Sequence, residues 1–427
     1  MTIRKNILAN YLGTGGVALA PILAMPWYLA LLGPERFGLI GFVIMLQALL
    51  GLVDAGMSQA LVREFAIRLG AENGERSAAK LLFGFERIYW LFAAGAGCIT
   101  FLLANVIATH WLNLKDLPVT TGSDAIYGAA IIFAVQFPGS VYRSLLVAAQ
   151  AQVTLNSVVI GSTLLRHAGG VLVVLVWPTL QTYLVWQALI ALFETLARGK
   201  FAWSALNIKR NRVAWETSSL RQAWKSVASM SGATWLGALT VQTDKIFLSR
   251  MVPIEQFGYY VIASTVAMGA LQLIYPLVQA VLPRAIQLRN ERVALRNLLI
   301  KLTRGIGLLV VLGVLIFATA GGWLLSMWLR SASAVESVYP LLRVLLVGAG
   351  MNAFYNVGYI YWMVNEEFRR ILLVNGLSLI LSVALIPLFI ASQGTIGAAF
   401  GWLTINLIGL VVSLEWLRKK GHNESSC

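Results

Sequence analysis

Charge is what this sequence has least of. Asp, Glu, Lys and Arg together make up 12% of its 427 residues, while hydrophobic residues make up 58%. A soluble domain carries roughly 25% charged residues, so most of this chain cannot be facing water. A large catalytic or nucleic-acid-binding domain outside a membrane is thereby excluded. Cysteine is almost absent. Cys98 sits in an apolar run and Cys427 at the terminus, too few and too far apart for a metal centre or a disulfide framework. Clustered acids outside the apolar runs are missing as well. The longest expected outer loop, about 109–124, holds only Asp116 and Asp124, which is too little for a membrane glycosyltransferase or polymerase. No enzyme activity, cofactor or metal is expected.

What the sequence does contain is long apolar runs, with a mean hydropathy of +0.76. A transmembrane helix needs roughly 20 apolar residues, and the runs predict twelve helices. They fall near 7–32, 37–62, 81–108, 125–148, 155–177, 179–203, 226–250, 257–282, 303–329, 338–363, 371–391 and 394–416. The first run follows Arg4 and Lys5 as a signal peptide would, but it is too long, carries Pro21 and Pro26 and lacks a cleavage pattern, so it is read as a retained span. The fold class is therefore an all-α polytopic membrane protein.

The net charge of +15 would suggest nucleic acid in a soluble protein; in a membrane protein, where the bases sit matters first. One side of the membrane receives Arg4, Lys5, Arg63, Arg68, Arg76, Lys80, Arg198, Lys200, Lys209, Arg210, Arg212, Arg221 and Lys225. It also receives Arg284, Arg289, Arg292, Arg296, Lys301, Arg304, Arg369, Arg370, Arg418, Lys419 and Lys420. The opposite side has Arg36, Lys115, Arg250 and Arg330. By the positive-inside rule both termini are cytoplasmic, and no nucleic-acid partner is implied.

An internal repeat divides the chain. Glu35-Arg36-Phe37-Gly38 returns as Glu255-Gln256-Phe257-Gly258, and Gln59-Ala60 as Gln279-Ala280, both at an offset of 220 residues. These pairs bracket the second and eighth helices. The expected organisation is an N-terminal lobe at 1–205, a basic linker at 206–225, a C-terminal lobe at 226–417 and a tail at 418–427. Six spans per repeat give both lobes one orientation, as in transporters with a substrate path near the bilayer midplane.

A few charges lie inside the spans. An arginine at the bilayer centre costs about 2.5–3.5 kcal/mol on insertion scales and marks a bundle interior or wet cavity. Arg166 falls mid-span in the fifth helix and Arg143 in the inner half of the fourth; Lys245 and Arg343 fall in the outer halves of the seventh and tenth. The acids are Asp54, Glu86, Glu194 and Asp244. Helix neighbours diverge by about 100°, so Asp244 and Lys245 cannot share a target, nor can Arg166 and His167. Glu86 and Arg87 lie close enough to the cytoplasmic surface to snorkel. His167 is suited to carry protons. An excess of fixed cations favours a polyanion such as a phosphate or pyrophosphate. Pro138 and Pro276 permit kinks, Gly397-x-x-x-Gly401 is a packing face, and Tyr355, Tyr359, Tyr361 and Trp362 either pack or stack on sugar rings.

Leu32-Gly33-Pro34-Glu35-Arg36-Phe37-Gly38, Leu52-Val53-Asp54-Ala55-Gly56, Tyr142-Arg143-Ser144-Leu145-Leu146 with Gln150, and Thr243-Asp244-Lys245-Ile246-Phe247-Leu248 with Phe257-Gly258-Tyr259-Tyr260 occur in this order along the chain. Together they resemble the Wzx-type polysaccharide flippases of the multidrug/oligosaccharidyl-lipid/polysaccharide exporter superfamily. The resemblance implies two six-helix bundles around a cationic cavity in the bacterial inner membrane. It implies alternating access that moves an undecaprenyl-pyrophosphate-linked oligosaccharide for O-antigen, exopolysaccharide or capsule assembly. Arg166, Arg143, Lys245 and Arg343 are then the candidates for the pyrophosphate. Asp54, Asp244, Glu194 and His167 are candidates for a coupling proton or sodium ion. Membrane lipids and polysaccharide polymerase machinery are implied partners. The alternative is a cation-coupled multidrug exporter of the same superfamily, in which acids should dominate the cavity.

Overall fold

The computed structural model describes residues 3–54, 56–208, 210–214 and 217–418. Lys209, Ala55 and the tail 419–427 lie outside the described residues, as do the side chains of Arg4, Lys5, Arg212, Arg221, Lys225 and Arg418. Among the described residues every regular element is helical. Ten helical segments are long and apolar enough to cross a membrane: Pro34–Asp54, Gly74–His110, Val119–Ala148, Gln152–Val176, Leu180–Ala205, Ile254–Gln287, Arg292–Leu329, Ala332–Val364, Phe368–Gln393 and Thr395–Leu417. They stand where the second to sixth and eighth to twelfth spans were expected. Helices α1 (Ile3–Leu32) and α10 (Thr217–Met251) occupy the places of the first and seventh.

Several spans are interrupted where the sequence forces a break. The second runs as α2 (Pro34–Gly51), a 3-10 turn at Leu52–Asp54 and α3 (Met57–Leu69). Gly56 there adopts φ 89°, a left-handed backbone that favours glycine. After α4 (Gly74–His110), the fourth span divides at Pro138 into α5 (Val119–Gln136) and α6 (Gly139–Ala148). The fifth is α7 (Gln152–Leu164), a π-helical turn at Leu165–Gly169, and α8 (Gly170–Val176). The sixth is α9 (Leu180–Ala205), and the eighth divides into α11 (Ile254–Gln272) and α12 (Tyr275–Gln287) before Pro276. Pro21 and Pro26 do not break α1, which is continuous through both. The chain closes with α13 (Arg292–Leu329), α14 (Ala332–Val364), α15 (Phe368–Gln393), α16 (Thr395–Ser413) and α17 (Glu415–Arg418).

The chain forms two compact units, Met1–Gln242 with Pro253–Gly258, and Thr243–Val252 with Tyr259–Cys427. In the first, Phe65 of α3, Leu81, Leu82, Phe85 and Tyr89 of α4, and Phe133 and Phe137 at the α5–α6 break are buried together. Here the two copies of the repeated segment meet: a Cβ on Gly258 would stand 2.9 Å from the Gly38 Cα, and one on Gly38 would stand 2.0 Å from the Ile254 carbonyl oxygen. Glu35 fixes the neighbouring loop by accepting the backbone N–H groups of Lys115 at 2.7 Å, Asp116 at 3.2 Å and Leu117 at 3.1 Å. In the second unit, Leu299 and Ile306 of α13, Ala353, Val357 and Ile360 of α14, and Trp416 are buried together. The small-residue face of α16 packs on α15, since a Cβ on Gly397 would meet the Phe389 carbonyl and one on Gly401 the Ile386 side chain.

Candidate functional site

The π-helical turn at Leu165–Gly169 sets the position of Arg166 and His167. Such turns concentrate at functional sites, and inside a membrane every backbone group that they release must find a partner. Three side chains supply them. Trp186 donates Nε1–H to the Leu165 carbonyl at 2.9 Å, Gln187 donates to that of Arg166 at 3.4 Å, and the Tyr28 hydroxyl donates to that of His167 at 3.2 Å. Gly169 and Gly170 keep the turn free of side chains where Trp186 and Tyr28 press against it.

Held in this way, Arg166 donates from Nη2 to Glu194 Oε2 on α9 at 2.9 Å, and from Nη1 to Gln136 Oε1 at the end of α5 at 3.4 Å. The other carboxylate oxygen of Glu194 accepts from Arg198, one turn further along α9. Arg143 on α6 is exposed and repels Arg198 by charge, as does Arg166. Two guanidinium groups thus share one carboxylate, Arg143 stands near both Arg198 and Asp54, and with three arginines to two acids the cluster is net positive. It is only partly shielded: Arg166, Glu194 and Arg198 keep 16%, 11% and 13% of their side-chain surface exposed. Arg198 Nε is buried without a partner. Sequence reasoning counted Arg198 only among the bases on the cytoplasmic side, near the end of the sixth span. Its i,i+4 spacing from Glu194 was the available signal of a partner.

The other expected residues separate into distinct environments. Asp54, at the break between α2 and α3, accepts the hydroxyls of Tyr89 and Ser58 at 2.7 Å each. Ser140 also bonds to it, and Arg143 is a nearby opposite charge. His167 has a buried Nδ1 without a partner. In the second unit Asp244 is 2% exposed and accepts the Tyr260 hydroxyl at 2.6 Å. The divergence expected between Asp244 and Lys245 does not keep them apart: the long lysine stem folds back, bringing Nζ within 3.5 Å of Asp244 Oδ1. Arg343 is exposed, with its guanidinium 5.8 Å from the centre of the Tyr339 ring. Glu86 does not snorkel. It is 3% exposed, accepts the Tyr142 hydroxyl at 2.6 Å and pairs with Arg210 of the linker at 3.1 Å.

The second unit has a polar feature that sequence reasoning missed. Asn352 donates to Asn406 at 2.7 Å, and Asn356 donates to Asn352 one turn away. The i,i+4 spacing of Asn352 and Asn356 inside an apolar run was its signal. Tyr355 instead stacks within its own helix, 6.0 Å from Tyr359 and 6.2 Å from the fully buried Trp362, which is packing. A groove of about 430 Å³ between α5 and α9, lined by Tyr127, Ile131, Leu184 and Leu189 among others, is almost wholly apolar and holds none of the cations. Among the described residues no group of three or more His, Cys, Asp or Glu side chains is arranged to hold a metal ion.

Comparison with known proteins bears on the family and the fold. The profile of a family described as "Polysaccharide biosynthesis protein" matches residues 3–289. A Shigella flexneri protein named "Putative O-antigen transporter" is 20% identical over 423 residues, covering 98% of each chain. Among solved structures, the lipid II flippase MurJ in an inward closed conformation superposes with a TM-score of 0.75 at 12% identity, covering 96% of this chain and 87% of that one. An inward-facing multidrug-resistance transporter of the MATE family, in the MOP superfamily, gives a TM-score of 0.73 at 14% identity, covering 94% of each. At such identities these two structures speak for the fold.

Proposed function

The chain belongs to the polysaccharide biosynthesis protein family, and from that premise we propose that it flips a lipid-linked oligosaccharide across a membrane. The cargo is an undecaprenyl-pyrophosphate-linked repeat unit, moved from the cytoplasmic to the periplasmic leaflet of the bacterial inner membrane. The product feeds O-antigen, exopolysaccharide or capsule assembly. The observation that carries this reading is the net-positive cluster in which Arg166 and Arg198 pair with Glu194 and Arg143 stands near Arg198, inside helices long enough to span a bilayer. Charged side chains at such depth are expensive unless they have a purpose. Guanidinium groups present planar paired donors that match phosphate oxygens. The pyrophosphate and sugars are what hydrocarbon excludes; the polyprenyl tail can stay in the bilayer.

The polypeptide works as a transporter rather than an enzyme, by alternating access of two six-helix lobes, 1–205 and 226–417, joined by the basic linker. Both termini are cytoplasmic, and α1 and α10 complete twelve spans. Arg166 and Arg143 are the first pyrophosphate ligands. Lys245 and Arg343 are secondary ones, Lys245 because it is poised beside a buried acid. Asp54, His167 and Asp244 are candidates for a coupling proton or sodium ion. Glu194 was a fourth, but both its oxygens are committed to arginines, which suits a counter-ion better than a carrier. A cation-coupled drug exporter fits less well, because bases and not acids predominate in the cluster. A deletion strain tests the reading: lipid-linked repeat units accumulate in the cytoplasmic leaflet and surface polysaccharide is lost. Normal surface polysaccharide with raised drug sensitivity would favour the exporter instead.

A further inference from the structure

Pyrophosphate binding accounts for Arg166 and Arg143, but a carboxylate paired with two arginines works against it. Glu194 is 8% exposed and its two oxygens are each occupied by a different guanidinium. We propose that Glu194 is a built-in counter-anion: without cargo it holds the place of a phosphate oxygen, cargo displaces it from Arg166 and Arg198, and its return helps to expel the cargo. The proposal rests on the pyrophosphate reading above and adds to it an anion exchange inside the protein.

The groups around Glu194 suit such an exchange. Arg166 approaches from the π-helical turn, Arg198 and Thr195 lie on α9 itself, Gln136 closes α5, and Gly139 and Arg143 lie on α6. Gly139 leaves room beside the cluster, since a Cβ there would stand 3.0 Å from Thr195 Oγ1 and 3.4 Å from Arg198 Nη1. Donors remain for an incoming anion. Arg198 Nε has no partner, and Arg166 Nη1 has only a 3.4 Å contact to a neutral amide. Without Glu194 the resting cluster would consist of unneutralised guanidiniums at membrane depth, which is strongly unfavourable. A tethered carboxylate neutralises part of that charge and, being intramolecular, competes at high effective concentration. A diphosphate carries more charge and more acceptor oxygens than one carboxylate, so it can win the exchange. The competition keeps it from binding so tightly that it cannot leave, as a conducting site requires.

The test is titration of purified full-length protein with inorganic pyrophosphate, paired with surface-polysaccharide export at matched protein levels. Glu194→Gln is expected to bind pyrophosphate about tenfold tighter or more, the scale of removing one close charge pair, while exporting less. Glu194→Asp, whose shorter arm loses one of the two arginines, is expected to show a smaller change in the same direction, and it serves as the test should the glutamine variant not fold. A merely structural role would lower thermal stability without raising affinity. Equal or weaker pyrophosphate binding by these variants overturns the counter-anion proposal alone. No pyrophosphate binding by wild type or variants overturns the pyrophosphate reading together with it.

Discussion

The two units of the chain hold their buried polar groups in different ways. In the first, Arg166 and Arg198 converge on Glu194 with Arg143 nearby, and their side chains keep some contact with the surroundings. In the second, Asp244 is sealed against Tyr260, and the polar ladder of Asn352, Asn356 and Asn406 carries no charge. The sequence repeat that relates Glu35–Gly38 to Glu255–Gly258 therefore duplicated a scaffold without duplicating its chemistry. Neutral amides satisfy one another at little cost in a membrane interior. A cluster with more cations than acids carries a burial cost that a negatively charged visitor would offset. On the proposed reading the main anion contacts lie in the first unit, with Lys245 and Arg343 of the second as secondary ones.

Substitutions in the two units should separate these roles. The largest effect is expected from Arg166→Ala, which removes the central guanidinium and leaves Glu194 with one partner. Surface-polysaccharide export at matched protein levels should fall at least about tenfold, with Arg166→Lys keeping part of it because charge survives and the fork is lost. Next comes Tyr260→Phe. It strips Asp244 of a buried donor and should lower stability by about 1–3 kcal/mol in a thermal or denaturant melt, with pyrophosphate affinity unchanged. The smallest effect belongs to Arg343→Ala, whose exposed guanidinium faces only the Tyr339 ring among the contacts described above. A loss near 0.5–1 kcal/mol in the same melt is expected, the scale of an exposed cation–π contact. A pyrophosphate defect in Tyr260→Phe as large as that of Arg166→Ala would dissolve the division between the units.

How much of this was legible in the sequence depends on how local the cause is. The spans were readable because a bilayer demands long apolar runs, and ten of those expected meet that demand in the structure. The break at Asp54 has an equally local cause, Gly56, whose backbone other residues resist. Partners were not readable. Arg198 looked like one more cytoplasmic-side base at the end of its span, and only its pairing with Glu194 shows it in the cluster. Glu86 looked able to reach water, yet Tyr142 and Arg210 hold it inside. Lys245 looked set apart from Asp244 by helix geometry, but a flexible stem overrides the 100° step for one short contact. In each case the deciding atom belongs to another helix, or to a side chain whose rotamer the packing selects, and no spacing rule reports it.

The most direct measurement is pyrophosphate titration of three purified full-length proteins: wild type, Arg166→Ala and Arg343→Ala. The account predicts saturable binding that weakens with salt in wild type, at least about tenfold weaker binding in Arg166→Ala, and a much smaller weakening in Arg343→Ala, a secondary ligand. Equal affinity in wild type and Arg166→Ala would contradict it.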